Sequence, residues 1–299
     1  MNRIFTSVLA ILVVTLPAHG ELRIFACEPE WAALASELGQ DLVKVYSATT
    51  AQQDPHYIQA RPSLIAKVRR ADLVICSGSE LEIGWLPALL NKASNPSVRP
   101  GSSGFIEASL LVKRLDIPVS IDRSQGDMHP AGNPHIQMNP HNIARVAQEL
   151  GKRLMLLDAI NSGRYSTNME DFLARWKIAT KIWEKRAAPL KGKQIVPHHK
   201  SWAYLENWLG LNEVATLEPV PGIPPTATHL SKLLVKFSQV RVDFIIRTPY
   251  QSDKPSRWLS NRTDTPALVL PFTVGGSDKA DNLFSLFDDT LDRLLGDVR

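Results

Sequence analysis

Leu22-Arg23-Ile24-Phe25-Ala26-Cys27 and Asp72-Leu73-Val74-Ile75-Cys76 are the two runs that decide the fold. Both are short and apolar, carry β-branched residues, and precede a turn or helix, as parallel strands covered on both faces do. Between them lies a helical stretch with Trp31, Leu34, Ala35 and Leu38 on one face, stopped by Gly39. A second strand at 42–46 follows, then a loop at Asp54-Pro55-His56 and a helix opened by Pro62-Ser63 that carries Leu64, Ile65 and Val68. The order β-α-β-α-β predicts a parallel sheet with helices on its faces.

The alternation returns in the second half. Residues 193–196 form a strand leading into His198-His199, and Trp202, Leu205 and Leu209 pattern as a helix ending at Gly210. Strand-like runs follow at 213–217, 242–246 and 267–270, with a helix through Leu230, Leu233, Leu234 and Phe237 between the first two. Leu283, Phe284, Leu286, Phe287, Leu291, Leu294 and Leu295 make a final amphipathic helix. Asn139-Pro140, a cap followed by proline at the first helical position, opens a helix through Ile143, Val146, Ala147, Leu150, Leu154 and Leu157. Asn161-Ser162-Gly163 is a possible interruption, and a long pattern with Phe172, Trp176, Ala179 and Trp183 then runs over 165–185. The expected fold class is α/β: two lobes, each a parallel sheet flanked by helices, joined by one long rigid helix. The boundaries are a signal peptide at 1–20, a first lobe at 21–160, the linking helix at 161–189 and a second lobe at 190–299. A core helix of a single domain is the alternative for the linker.

The chain has 299 residues, 44% of them apolar and 21% charged, which is globular composition. The net charge of +4 is small and its basic residues are scattered, Lys67, Arg69 and Arg70 being the densest group, so nucleic acid is not an expected partner. Met1-Asn2-Arg3 is a positive n-region, an apolar stretch follows to Pro17, and Ala18-His19-Gly20 places small residues before a cut after Gly20. That is a secretory signal. The apolar run is shorter than the ~20 residues that span a bilayer, which argues against the alternative of a membrane anchor. With no later segment apolar enough to cross a membrane, the expected product is exported, not membrane-spanning, and a monomer. Cys27 and Cys76 end neighbouring strands, and an oxidising compartment favours a disulfide between them over two buried thiols.

Several histidines lie at strand-to-helix crossovers. His56 follows the second strand, His135 sits in Gly132-Asn133-Pro134-His135, and His198-His199 follow the first strand of the second lobe. Open α/β sheets bind ligands outside the carboxyl ends of their strands. Imidazoles gathered there suit Zn²⁺, Mn²⁺ or Fe²⁺.

The surrounding residues resemble a known family, the zinc- and manganese-specific solute-binding proteins of metal ABC importers (the cluster A-I metal receptors). Asp54-Pro55-His56 is similar to the family's Asp-Pro-His loop. Gly132-Asn133-Pro134-His135-Ile136-Gln137-Met138-Asn139-Pro140 is similar to its second-histidine loop, with Asn139 in place of an Asp. His199-Lys200-Ser201-Trp202-Ala203-Tyr204-Leu205 resembles its third-histidine segment, and Leu81-Glu82-Ile83-Gly84-Trp85-Leu86 its Leu-Glu-x-Trp segment.

The resemblance implies a periplasmic receptor, not an enzyme, that binds a divalent metal between two lobes and delivers it to the permease of an ABC importer. It implies His56, His135 and His199 as ligands, with His198 as the rival for the third place. The family's fourth ligand is an Asp at the end of the last strand. Here that strand reads Val269-Leu270-Pro271-Phe272-Thr273-Val274, and Pro271 falls where the Asp is expected. Asp278 is then the nearest carboxylate; it is otherwise a helix cap, and water or His129 fills the place. Three neutral imidazoles favour Zn²⁺ over Mn²⁺. The stretch between Leu111 and His129 is too short and too weakly charged for a metal-storing loop. A zinc hydrolase and a metal-binding adhesin on the same scaffold are the rival functions. Against the first, the chain has no His-Glu-x-x-His helix and no obvious general base beside the histidine loops.

Overall fold

The computed structural model describes residues 20–119, Gly126 and 129–296. The signal-peptide reading of Met1 to His19 lies outside the described residues, as do Asp127 and Met128 ahead of His129.

The apolar runs of the first half become strands β1 (Leu22–Ala26), β2 (Val43–Ser47) and β3 (Leu73–Cys76). A three-residue strand, β4 (Phe105–Glu107), joins them, and the sheet runs β2-β1-β3-β4, all parallel. The second sheet repeats the plan with β5 (Gln194–Pro197), β6 (Asn212–Glu213), β7 (Phe244–Arg247) and β8 (Ala267–Val269), in the order β6-β5-β7-β8, again parallel.

The strand expected over 213–217 is shorter than its sequence suggests. Only Asn212–Glu213 pair regularly, although Val214 and Leu217 still donate to the carbonyls of Ile195 and Pro197. The chain follows the edge of β5 and then leaves it to place Glu218, which matters below.

Helix α1 (Pro29–Gly39) buries Trp31, Leu34, Ala35 and Leu38 on the first sheet. Helices α2 (Pro62–Arg69) and α3 (Leu86–Ala93) cover its other face. Helix α4 (Pro140–Leu157) starts as its sequence predicts: the Asn139 side chain accepts from the His141 N–H at 3.0 Å, and proline holds the first helical position. A short 3₁₀ turn at Ala159–Asn161, capped by Asp158, then hands over to α5 (Ser162–Ala187). The interruption expected at Asn161-Ser162-Gly163 thus falls slightly earlier, at Asp158 to Asn161, and Ser162-Gly163 open the long helix.

At 26 residues, α5 is roughly 39 Å long. Its buried face carries Tyr165, Phe172, Trp176, Thr180, Trp183 and Ala187. Trp176 and Trp183 pack edge-on at 5.1 Å, and both meet Phe287 of α9 (Leu283–Gly296), at 5.5 and 5.0 Å. The two indole N–H groups are satisfied, Trp176 by the Pro140 carbonyl and Trp183 by Asp288. One apolar cluster thus continues from β1 and α1 through α4 and α5 to β5, β7 and α9. The two sheets share a core, and their carboxyl ends face each other across a cleft. Three smaller helices, α6 (Ala203–Leu209), α7 (Ala227–Phe237) and α8 (Lys254–Thr263), complete the second lobe. Among the described residues no helix is long and apolar enough to cross a membrane.

Candidate metal centre

Four imidazoles converge in the cleft. His56 comes from the β2–α2 loop, His129 and His135 from the segment leading into α4, and His199 from the loop after β5. The ring of His56 lies 5.3 Å from that of His129, 5.4 Å from His135 and 5.7 Å from His199. The His135 and His199 rings are 6.1 Å apart. Ligand nitrogens of His56, His129 and His135 all lie within 4.8 Å of one another, and the Nε2 atoms of His56 and His129 are 3.3 Å apart.

Carboxylates behind the rings choose the tautomers. His56 Nδ1 lies 2.7 Å from Asp54 Oδ1, and His199 Nδ1 lies 2.7 Å from Glu218 Oε2. An ionised carboxylate only accepts, so Nδ1 carries the proton in both rings and Nε2 is left with its lone pair toward the cleft. Burial alone would raise the Asp54 carboxyl, but the hydrogen bonds it accepts from the His56 ring and backbone outweigh that and hold Asp54 below its ordinary range. His135 is 1% exposed, and its Nε2 has no hydrogen-bond partner. Burial first, and then the imidazoles of His56, His199 and His129, hold His135 well below the ordinary imidazole range. It therefore remains a neutral donor. A buried, neutral, unpartnered Nε2 facing three other imidazoles is what a divalent cation would satisfy.

The loops that present these rings are tied down. Trp85 donates its indole N–H to the Pro55 carbonyl at 2.9 Å, which fixes the loop of His56. Tyr204 donates to the Asn133 carbonyl at 2.9 Å and accepts from the Leu115 N–H, while Asn133 Nδ2 reaches the Lys200 carbonyl. These bonds join the loop of His135 to that of His199 across the lobes. A cavity of about 630 Å³ lined by His129, His199, Asn133, Lys200 and Pro219 opens the centre to solvent.

The remaining candidates fall elsewhere. His198 is buried beside the site, but its backbone N–H bonds Ile246 and its Nδ1 has no partner; among the described ring contacts it is His199 that meets His56 and His135. His141 pairs with Glu184 on the surface, and His229 Nε2 bonds the Thr216 carbonyl. Among the described residues no contact joins Asp278 to the imidazoles. Asp278 is exposed on a tight turn closed by the Gly275 N–H to the Ala280 carbonyl, and neighbouring Ser277 is held by Asp289 of α9. The end of β8 presents Phe272 to the site instead, its ring 5.3 Å from His135 and 5.1 Å from Trp202. His129 stands beside His56 and His135, its ring centroid 5.3 and 6.3 Å from theirs. Sequence reasoning also missed Glu218 as a support for His199, because no local pattern announces a carboxylate that meets its histidine 19 residues away.

Behind the site lie three buried carboxyls, Glu28, Glu30 and Glu82. Burial, first of all, raises Glu30 and Glu82 to about 7 and Glu28 well above its ordinary value. Between pH ~4.5 and ~7 the folded chain keeps protons on Glu30 and Glu82 that the unfolded chain has released. These groups therefore make the stability of the metal-free protein fall as pH rises through that window. Glu82→Gln stays neutral, so its urea midpoint is expected to fall less between pH 5 and pH 7 than that of the wild type. Parallel decline of the two proteins would contradict this assignment.

Two parallel α/β lobes, locked by a helix and enclosing a cluster of imidazoles, define a bilobed metal-binding solute receptor. The sequence profile of the family described as zinc-uptake complex component A, periplasmic (ZnuA), matches residues 24–296, and the chain belongs to that family. It is 22% identical over 282 residues to the manganese ABC transporter substrate-binding lipoprotein PsaA of Streptococcus anginosus, covering 92% of this chain and 88% of the relative. It is also 22% identical to the metal ABC transporter substrate-binding lipoprotein SsaB of Streptococcus sanguinis, covering 97% and 96%. Among solved structures, a crystal structure of ZnuA superposes with a TM-score of 0.75 at 22% identity, covering 92% of this chain and 99% of the other. The Mn-bound periplasmic metal binding protein of Candidatus Liberibacter asiaticus gives 0.74 at 18% identity, covering 92% and 99%. The protein is a metal-binding receptor of an ABC importer and not an enzyme.

Proposed function

We propose that the protein binds one Zn²⁺ per chain through Nε2 of His56, His135 and His199 with His129 as the fourth donor, and delivers it to the permease of its importer from the periplasm, as a monomer. The observation that carries this reading is the convergence of four imidazoles with Phe272, not a carboxylate, on the β8 side. An all-nitrogen tetrahedral set suits Zn²⁺, whereas Mn²⁺ favours more oxygen donors. Relatives named for manganese share the scaffold, so the preference rests on this donor set alone.

Each residue has a defined task. Asp54 and Glu218 orient their imidazoles and offset part of the cation's charge. His135 supplies a dry, neutral donor at the floor, and His129 stands toward the cavity mouth. Metal titration of two variants tests the fourth place. His129→Ala is expected to weaken Zn²⁺ by roughly 10–100-fold, the scale seen when supporting groups of a metal site are lost. Asp278→Ala should stay within about twofold of wild type, in keeping with a solvated turn. The opposite pattern would return the fourth place to the carboxylate.

A further inference from the structure

A second group of metal-capable donors lies away from the imidazoles, at the carboxyl ends of β1 and β3. The parallel register sets Ala26 beside Ile75, so that Cys27 and Cys76 come next to each other with Cα atoms 4.8 Å apart, joined as a disulfide. Both Sγ atoms and a Glu82 carboxylate oxygen lie within 4.8 Å of one another. All three residues are buried, at 0%, 1% and 3% exposure. Glu28, also 3% exposed, stands against Glu82, and its Oε1 has no partner while Oε2 accepts from the Ser77 N–H and hydroxyl. Backbone N–H groups of Ser77 and Gly78 hold the Glu82 carboxyl in place. Two adjacent buried carboxyls with an unsatisfied oxygen, and no cationic side chain bonded to them among the described residues, make an arrangement that a cation would complete. A surface cavity of about 470 Å³, lined by Cys76, Glu82 and Glu107, reaches the group from outside.

We propose that reduction of the Cys27–Cys76 bond opens a second site, in which the two sulfurs and the Glu82 carboxylate, completed by Glu28, bind a thiophilic divalent cation. The disulfide form is closed to this chemistry, because each sulfur is committed to the other. A dithiol reductant supplies two electrons and two protons and is itself oxidised to its disulfide; the S–S bond breaks and two S–H bonds form. The cation then displaces both thiol protons, and two S–metal bonds replace them. Tetrahedral thiolate coordination with metal–sulfur bonds of about 2.3 Å needs the sulfurs roughly 3.8 Å apart, a spacing reached by side-chain rotation from fixed strand ends. The two thiolates are soft and the carboxylate adds a third anionic donor, so this site selects thiophilic ions, whereas the first cluster offers imidazole nitrogens and no sulfur.

The test is Cd²⁺ titration of the full exported chain, with and without prior treatment by a phosphine reductant, which becomes its oxide and leaves no chelating thiol. The reduced chain is expected to take up one equivalent more than the disulfide form, with an ultraviolet thiolate-to-cadmium charge-transfer band. The extra equivalent is scored as a difference, so it stays readable even if the imidazole site fails. Glu82→Gln should weaken the extra equivalent roughly 10–100-fold. The Cys27→Ser/Cys76→Ser double variant should lack it and keep the first equivalent. Equal uptake by the two redox forms, without the band, would overturn the proposal. So would a band of unchanged affinity in Glu82→Gln, since that result describes loose thiols in a loosened chain and not a built site.

Discussion

Replacing His135 by alanine is expected to cost more metal affinity than any other single change, well beyond the ~10–100-fold attributed to supporting groups. His135 is the most buried of the four imidazoles, and it gives the cluster its only nitrogen that is both fully enclosed and without a partner among the described residues. Its neighbours are already committed: Asp54 fixes His56 and Glu218 fixes His199. Removing His135 leaves a hole walled by Phe272, which offers no donor. Water entering that hole gains at most the metal and few polar neighbours. Calorimetric Zn²⁺ titration of His135→Ala beside Asp54→Asn provides the comparison. A loss for His135→Ala no larger than that for Asp54→Asn would remove His135 from direct coordination.

Trp176→Ala carries the second large effect, on stability. Trp176 is 1% exposed and packs against Phe172, Trp183, Phe284 and Phe287 at centroid distances of 4.8–5.5 Å. Truncation removes most of that contact area, opens a cavity in the shared core and deletes the indole hydrogen bond to the Pro140 carbonyl. A fully buried Trp→Ala change costs about 3–5 kcal/mol. Because α5 joins the cores of both lobes, the loss should appear as one earlier cooperative unfolding transition. Denaturant melts of the metal-free protein followed by circular dichroism check this. Two separate transitions, or a loss below about 1 kcal/mol, would show that the lobes do not share a core through this residue.

The parallel sheets were legible because their strands are buried on both faces, so Leu22–Ala26 and Leu73–Cys76 read as continuous apolar runs. Helix α4 announced itself by Asn139-Pro140, and α5 by the spacing of Phe172, Trp176 and Trp183. β4 escaped notice because three residues, Phe105–Glu107, carry no periodicity. His56, His135 and His199 were visible because each lies within a motif at a crossover. The fourth corner was not visible in the same way. Whether Asp278 or His129 reaches the other imidazoles depends on how each loop is anchored. The bonds that pin the Asp278 turn, Gly275 to Ala280 and Ser277 to Asp289, are tertiary contacts without a local signature. Pro271 in place of an acid was the one warning in the sequence, and its meaning became clear only with Phe272 seen against His135.

The central claim is that the cargo is held by imidazole nitrogens alone. X-ray absorption at the zinc edge of the loaded, disulfide-bonded protein tests it most directly. The account predicts one Zn²⁺ per chain with four nitrogen donors at about 2.0–2.1 Å and the multiple-scattering signature of imidazole rings. A shell containing a carboxylate oxygen or a sulfur, or fewer than three imidazoles, would contradict it.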